Sequence, residues 1–317
     1  MKKILFATSA LIATAGMAAA EAELTFGGYG RFGLVYNEGA EGDDKRTALE
    51  QRFRLNIGAN VTLDSGVKLE GRFQVEANDE SEGGAAGNGP GAAEFSVSTG
   101  SFRLDLGNTG DLLDTAAIVD TYGVGTGQVV QIEAQNTFAD LIDTNGYGEG
   151  DITRNTVRAS YSVGDFDVSA SYTEDNTAVD LPSYYQVGAR YDFGPVAFGA
   201  VYGERDDDFD TDYWVANLSG TFGDLSASLL FADGEFFDEA GYSLNVVYDV
   251  SSSTRITAIL AGGGDSINAE TAAVTEKETV YALGFQHSLG NGVSLRGGAG
   301  ENASGNVVGD LGVRFDF

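Results

Sequence analysis

The residues that could do chemistry in this sequence are two groups of charges. Four of the six arginines in the first third of the chain form one group: Arg31, Arg52, Arg54 and Arg72. The segment 108–153 contains acids and neither lysine nor arginine. Its candidate functional acids are Asp111, Asp114, Asp120, Glu133, Asp140 and Asp143. Opposed charges of this kind can sort ions and polar solutes by sign without any bond-making step.

Catalytic chemistry has little support in the composition. The 317 residues include no cysteine and a single histidine, His287. Thiol catalysis, thiolate metal sites and disulfides are therefore excluded, and a hydrolase would depend on one histidine. The formal net charge of −30 repels phosphate backbones, which excludes a nucleic acid partner. We expect a protein that is not an enzyme and holds no cofactor, with structural calcium as the one open question.

β-Strands must position the charges, because apolar residues recur at every second position. Phe53 and Leu55 alternate with Arg52 and Arg54, and the turn 64–66 follows this run. The same alternation predicts sixteen strands, at 24–37, 49–63, 67–78, 93–98, 102–107, 154–163, 166–173, 184–193, 196–202, 212–222, 225–231, 242–250, 255–260, 279–289, 293–299 and 307–317. Short turns alternate with long loops, which is typical of an outer-membrane barrel.

The first twenty residues have the features of a secretory signal peptide. Two lysines precede an apolar run, and small residues end at Ala20, with a second possible cleavage site after Ala22. The remaining domain, 21–317, has no apolar stretch long enough for a membrane helix. The mature chain is therefore an exported soluble protein or a membrane barrel.

Strand parity alone does not choose between a membrane barrel, a soluble barrel and a β-sandwich, since all three alternate. Size favours the membrane barrel, because a closed barrel of about sixteen strands is too wide for side chains to fill. An apolar interior would leave a void, so the polar face should line water. We therefore predict an all-β fold, a transmembrane antiparallel β-barrel of about sixteen strands with the arginines turned inward.

Three short motifs carry a resemblance to a known family. They are GRFGLVYN at 30–37, DSGV at 64–67 and DLGVRF at 310–315, and the chain ends on Phe317, as outer-membrane barrels do. Together they resemble the general porins of alphaproteobacteria, the Rhodobacter-type family. The resemblance implies a homotrimer of sixteen-stranded barrels, each a water-filled channel. It also implies that the third long loop, here 108–153, folds into the barrel and constricts it.

A charged constriction follows from these expectations. The acids of 108–153 would face a cationic wall formed by the four inward arginines, and the field between them would select solutes. The resemblance supports Arg31, Arg52 and Arg54 individually, whereas Arg72 is placed by strand parity alone. Unrelated solvated charges remain the alternative interpretation.

The acidic run at Asp206, Asp208 and Asp210 is a candidate calcium site. It lacks the glycine and the terminal glutamate of a helix–loop–helix calcium loop, and a solvated external loop is the alternative. Calcium bridging acids within 108–153 is also open, because many like charges in a pore require a counter-ion.

The predicted function is that of a porin in the cell outer membrane, reached through the periplasm. It would pass small hydrophilic solutes and ions by passive diffusion. Its partners would be two further copies of itself, outer-membrane lipid and lipopolysaccharide. The alternatives are a substrate-specific outer-membrane channel and a non-conducting adhesin or structural barrel.

Overall fold

Sixteen long antiparallel strands make up most of the part of the chain that the structure describes. The computed structural model describes residues 22–40, 45–78, 89–121, 154–175, 183–206, 211–235, 237–267, 274–275 and 278–317. The long strands are β1 (Glu23–Asn37), β2 (Thr47–Thr62), β3 (Lys68–Asn78), β5 (Glu94–Thr99), β6 (Phe102–Gly107), β7 (Arg154–Val163), β8 (Phe166–Asp175), β9 (Ser183–Asp192), β10 (Val196–Asp206), β11 (Asp212–Phe222), β12 (Leu225–Gly234), β13 (Gly241–Ser251), β14 (Thr254–Gly262), β17 (Val280–Gly290), β18 (Val293–Glu301) and β19 (Val307–Asp316). Three two-residue strands are β4 (Gly89–Pro90), β15 (Ser266–Ile267) and β16 (Val274–Thr275).

The sheet closes on itself through its first and last strands. β1 pairs with β2 on one side and with β19 on the other, with Gly33 opposite Gly312 in the closing register. Beyond this ladder, the amides and carbonyls of Gly28 and Phe317 exchange two hydrogen bonds of 2.9 and 3.0 Å. The predicted sixteen-stranded antiparallel barrel is therefore confirmed.

Strand parity separates an apolar outer face from a mostly polar inner face. Leu49 is 77 % exposed and Phe26 is 61 % exposed, whereas Arg31 on the opposite face of β1 is 8 % exposed. This is the reverse of a soluble protein, and it suits a barrel surrounded by lipid. Within the described ranges, no helix is long and apolar enough to cross a membrane.

One sector of the inner face is apolar, whereas we expected a polar inner face from the sequence. Val201, Val215 and Leu230 point inward from β10, β11 and β12 and are at most 3 % exposed. Leu112 and Ile118, from the chain that follows β6, belong to the same buried cluster. Apolar side chains are stable on this wall because a segment of the protein itself covers them.

The turns on one rim are short and depend on glycine. At the β2–β3 hairpin the Leu63 amide donates to the Val67 carbonyl at 2.8 Å, and Gly66 has φ of 82°. A residue with a side chain would be strained at that angle. Outer-membrane barrels have short turns on the periplasmic side, so this rim is the periplasmic one.

Candidate functional site

The chain leaves the sheet after β6 and enters the barrel. Gly107 adopts φ of 97°, and the next amide, that of Asn108, still donates to the Ala93 carbonyl at 3.1 Å. Thr109 and Asp111 then have no exposed surface. Residues 108–121, called here the inserted segment, are the described part of the predicted constriction loop.

Hydrogen bonds hold the inserted segment to strand β9. Tyr184 donates its hydroxyl proton to Asp111 Oδ2 at 3.1 Å, and the Leu112 amide donates to Gln186 Oε1 at 2.7 Å. Gln186 in turn donates through Nε2 to the Tyr213 hydroxyl at 2.8 Å. Buried polar groups are costly without partners, so this chain of bonds fixes both position and orientation.

Asp111 is an anchor of the inserted segment. Its Oδ1 accepts hydrogen bonds from the amides of Leu113 at 2.8 Å and Asp114 at 3.0 Å, as in an Asx turn. The carboxylate is 0 % exposed. Asp111 therefore lies buried in the docking contact and not at the surface of the lumen, because one carboxylate oxygen accepts from amides of the segment and the other accepts from Tyr184.

Close packing completes the docking of the inserted segment. Ile118 is fully buried, and its Cγ2 would lie 2.9 Å from a Cβ at Gly188. A Cβ at Gly199 would collide with the Ile118 carbonyl oxygen. Glycine at these two inward positions is what lets the segment approach the wall so closely.

The inserted segment lies across the barrel from the predicted arginines. Asp111 and the buried apolar residues of the segment contact β9–β12, whereas the arginines Arg31, Arg52, Arg54 and Arg72 point inward from β1–β3. The order of long strands places β10 about half-way round from β1 in either direction. The inward face of β1–β3, called here the arginine wall, therefore faces the segment across the lumen.

Carboxylates accompany every arginine of this wall. Arg31 Nε lies 2.8 Å from Glu50 Oε1, with side chains 8 % and 0 % exposed. Arg52 and Arg54 share Glu76, and the Arg52 Nε to Glu76 Oε1 distance is 3.3 Å. The wall is thus a lattice of ion pairs, whereas the sequence predicts a cationic surface.

Tyr29 adds aromatic contacts to the lattice. The guanidinium carbon of Arg314 lies 3.9 Å from the centre of the Tyr29 ring, and that of Arg54 lies 5.4 Å away. Such cation–π contacts favour an ordered, extended arginine side chain. Tyr29 and Arg314 have inward parity in the sequence, but neither was among the predicted site residues.

The lattice continues along the wall to the inserted segment. Arg72 Nη2 lies 2.7 Å from Glu94 Oε2, and Arg103 Nε lies 2.8 Å from Asp105 Oδ1. Arg158 bonds Asp105 Oδ2 at 2.8 Å and also donates to the Gly110 carbonyl at 2.5 Å. Arg158 therefore connects the charged wall to the start of the segment that narrows the lumen.

The remaining predicted site residues have separate positions. Asp114 and Asp120 are half-buried on the inserted segment, and Asp206 is exposed at the end of β10. Glu133, Asp140, Asp143, Asp208 and Asp210 lie outside the described residues. In the described part of the chain no group of three or more histidines, aspartates or glutamates could hold a metal ion.

A closed barrel with an apolar outside, a charged inside and an inward-folded segment defines an outer-membrane channel. The chain belongs to the Gram-negative porin family, whose model matches residues 7–306. Two relatives, each named a porin, come from Fuscovulum blasticum and Rhodobacter capsulatus. They are 26 % and 28 % identical over 93 % of this chain and 100 % of their own length.

Solved porin structures share the fold. An engineered triple mutant of the Rhodopseudomonas blastica porin has a TM-score of 0.71 and 21 % identity, and covers 93 % of this chain and 100 % of its own. A second mutant of that porin has a TM-score of 0.73 at the same identity and coverage. The protein is a channel of the outer membrane, as predicted, and its family points to transport rather than catalysis.

Proposed function

We propose that the protein passes small hydrophilic solutes and ions by passive diffusion through a lumen that residues 108–153 constrict. The bond from Tyr184 to Asp111 carries this proposal, because it fixes the start of that loop on the inner wall. The arginine wall stands opposite. A solute crossing the narrow zone would pass between a guanidinium surface and a loop rich in acids.

The side chains that reach the lumen from the lattice are mainly cationic. The Arg72 side chain is 49 % exposed while its partner Glu94 is 1 % exposed, and Arg103 is 40 % exposed while Asp105 is 0 % exposed. The carboxylates lie behind the guanidinium groups and hold them extended. This arrangement supports a transverse field even though each cation has a partner, because the partner charges are set back from the water.

The test is single-channel current of refolded protein in a planar bilayer with a salt gradient. We expect stable, ohmic steps whose reversal potential reports the preferred ion. Swelling of liposomes in sugars of increasing size would give the exclusion limit. Silence from correctly folded protein would contradict the proposal and favour a non-conducting structural barrel.

We also propose a homotrimer in which part of the apolar outer face packs against neighbouring copies and the rest contacts lipid and lipopolysaccharide. Exposed outward residues such as Phe26 and Leu49 support a surface that must be covered. Conductance steps in groups of three, and a trimer band after cross-linking in native membranes, are expected. A monomer in both measurements would contradict the assembly and leave the channel proposal intact.

Two further proposals concern processing and bound groups. We propose that residues 1–20 are removed on export, which the intact mass of protein from outer membranes would show. We propose that transport needs no cofactor, so chelation with EDTA should leave the conductance unchanged. A loss of conductance that calcium restores would instead support structural calcium.

A further inference from the structure

A niche in the luminal wall lies near the periplasmic rim, apart from the docked segment. It has a volume of about 430 Å³ and is formed by inward residues of β1–β3 and β5–β7. Its floor includes Gly58, which has no side chain on the inner face. A volume of this size holds a small polar molecule together with some of its water.

The two sides of the niche differ in charge. Glu23 lies on one side, and the other side carries both cations and carboxylates, among them Lys68, Arg72, Arg103, Glu70 and Glu94. In the sheet register Gly58 lies directly between Thr25 of β1 and Arg72 of β3. Glu23, two residues before Thr25, points inward on the same side of the floor and accepts a hydrogen bond from Asn60 at 3.3 Å. Two strand spacings separate the two sides, which is about 10 Å.

Both signs of charge are open to water around this floor. The side chain of Arg72 is 49 % exposed, and those of Lys68 and Glu70 are 40 % and 28 % exposed. Glu23 is exposed as well. A solute with one charge would meet attraction on one side and repulsion on the other, whereas a solute with both charges would gain on both sides.

We propose that the niche is a weak binding subsite for small zwitterions of the α-amino acid type. The carboxylate would contact Arg72, whose side chain is 49 % exposed beside its ion pair with Glu94. The ammonium group would point towards Glu23, and the side chain would extend over Gly58 into the lumen. This inference rests on the proposed diffusion channel. It adds that the channel binds one class of solute, small zwitterions, for a short time during their passage.

Open-channel current noise tests the subsite, with L-serine as the probe. Serine added in the millimolar range should produce saturable excess noise as molecules enter and leave the niche. Lactate lacks the ammonium group and ethanolamine lacks the carboxylate, so each should give little excess noise at the same concentration. Equal noise from lactate and serine would overturn the zwitterion proposal and indicate a simple anion site.

Two variants locate the effect. Arg72→Gln and Glu23→Gln should each weaken serine binding about 5-fold, in line with loss of one partly exposed charged contact. Arg255→Gln is the matched control, because Arg255 is inward-facing, 45 % exposed and paired with Asp249 on another part of the wall. Serine binding that is unchanged in both niche variants would overturn the proposal.

The failure of this inference differs from a failure of the proposed function. If folded protein conducts and serine produces no noise, the subsite is absent and the channel stands. If folded protein never conducts, the diffusion channel itself is wrong. Conductance of each variant without serine shows that it has folded and inserted.

Discussion

Tyr184 of strand β9 donates its hydroxyl proton to Asp111 at a distance of 3.1 Å, across 73 positions of sequence. The two residues are 1 % and 0 % exposed. Through this contact the barrel wall holds the segment that narrows the lumen. A buried carboxylate is stable there only while its donors remain in place, so the anchor is sensitive to small changes.

Loss of this donor should loosen the inserted segment. In Tyr184→Phe the ring stays and Asp111 loses one hydrogen bond, which costs about 1–3 kcal/mol. We expect larger open-channel current noise and faster proteolysis of the loop in folded protein. Tyr185→Phe is the control, because Tyr185 faces outward and bonds Glu204 away from the lumen. Identical noise and cleavage in the two variants would contradict the anchoring role.

A methyl group at Gly199 should displace the same segment. Gly199→Ala places Cβ against the Ile118 carbonyl oxygen, so the segment must shift away from the wall. We expect an altered single-channel conductance with the barrel still folded. Gly27→Ala is the control, because its new Cβ would lie 3.5 Å from the Phe317 carbonyl oxygen, which is an ordinary contact. This variant should have the conductance of the parent protein. Unchanged conductance in Gly199→Ala would show that the segment does not define the narrow zone.

Apolar packing should contribute most of the docking free energy. Ile118→Ala removes a fully buried side chain, and such a change costs about 2–5 kcal/mol. We expect faster hydrogen exchange at the amides of Leu112 and Leu113. Ile256→Ala serves as the reference, since Ile256 is 44 % exposed on the outer face. If both variants leave the exchange rates unaltered, the segment is held by hydrogen bonds alone.

Because Arg52 and Arg54 share the carboxylate of Glu76, we predict that replacing both arginines changes the ion preference of the channel. Arg52→Gln with Arg54→Gln removes both of its described arginine partners and leaves its negative charge uncompensated in the wall. We expect the reversal potential in a salt gradient to move towards cations, by less at about 1 M salt than at about 0.1 M because ions screen the field. Arg190→Gln is the control, because it removes the arginine partner of Asp192 near the periplasmic rim. It should shift the reversal potential less than the double variant does. If the double variant is no more cation-selective than this control, the prediction is wrong.

The alternation of side chains was enough to predict the strands, because a lipid-facing wall imposes period two on nearly every residue. Strand ends were less predictable: β10 runs to Asp206, beyond the predicted end at 202. Its backbone ladder continues past the last apolar outward residue, Tyr202, since pairing with the neighbouring strands does not depend on lipid contact.

The charged wall was predicted in part. Inward parity is shared by the arginines of β1–β3 and by Glu50, Glu76 and Glu94, so the sequence contained both partners of each ion pair. Their pairing depends on register between strands, which one strand's pattern does not contain. The inward parity of Val201 and Val215 also indicated the docking site of the inserted segment, because apolar side chains inside a water-filled barrel must be covered by other protein atoms. The sequence prediction did not use this indication.

The seam between β1 and β19 has a consequence for how the molecule can be assembled. The Val307 amide reaches Glu38 across 269 positions, and the neighbouring ladder joins residues just as remote. Closing so long a loop carries a large entropic cost and is intrinsically slow. Until that happens, two unpaired strand edges are available to other chains. The most aggregation-prone moment in the life of this protein is therefore the interval before its first and last strands meet.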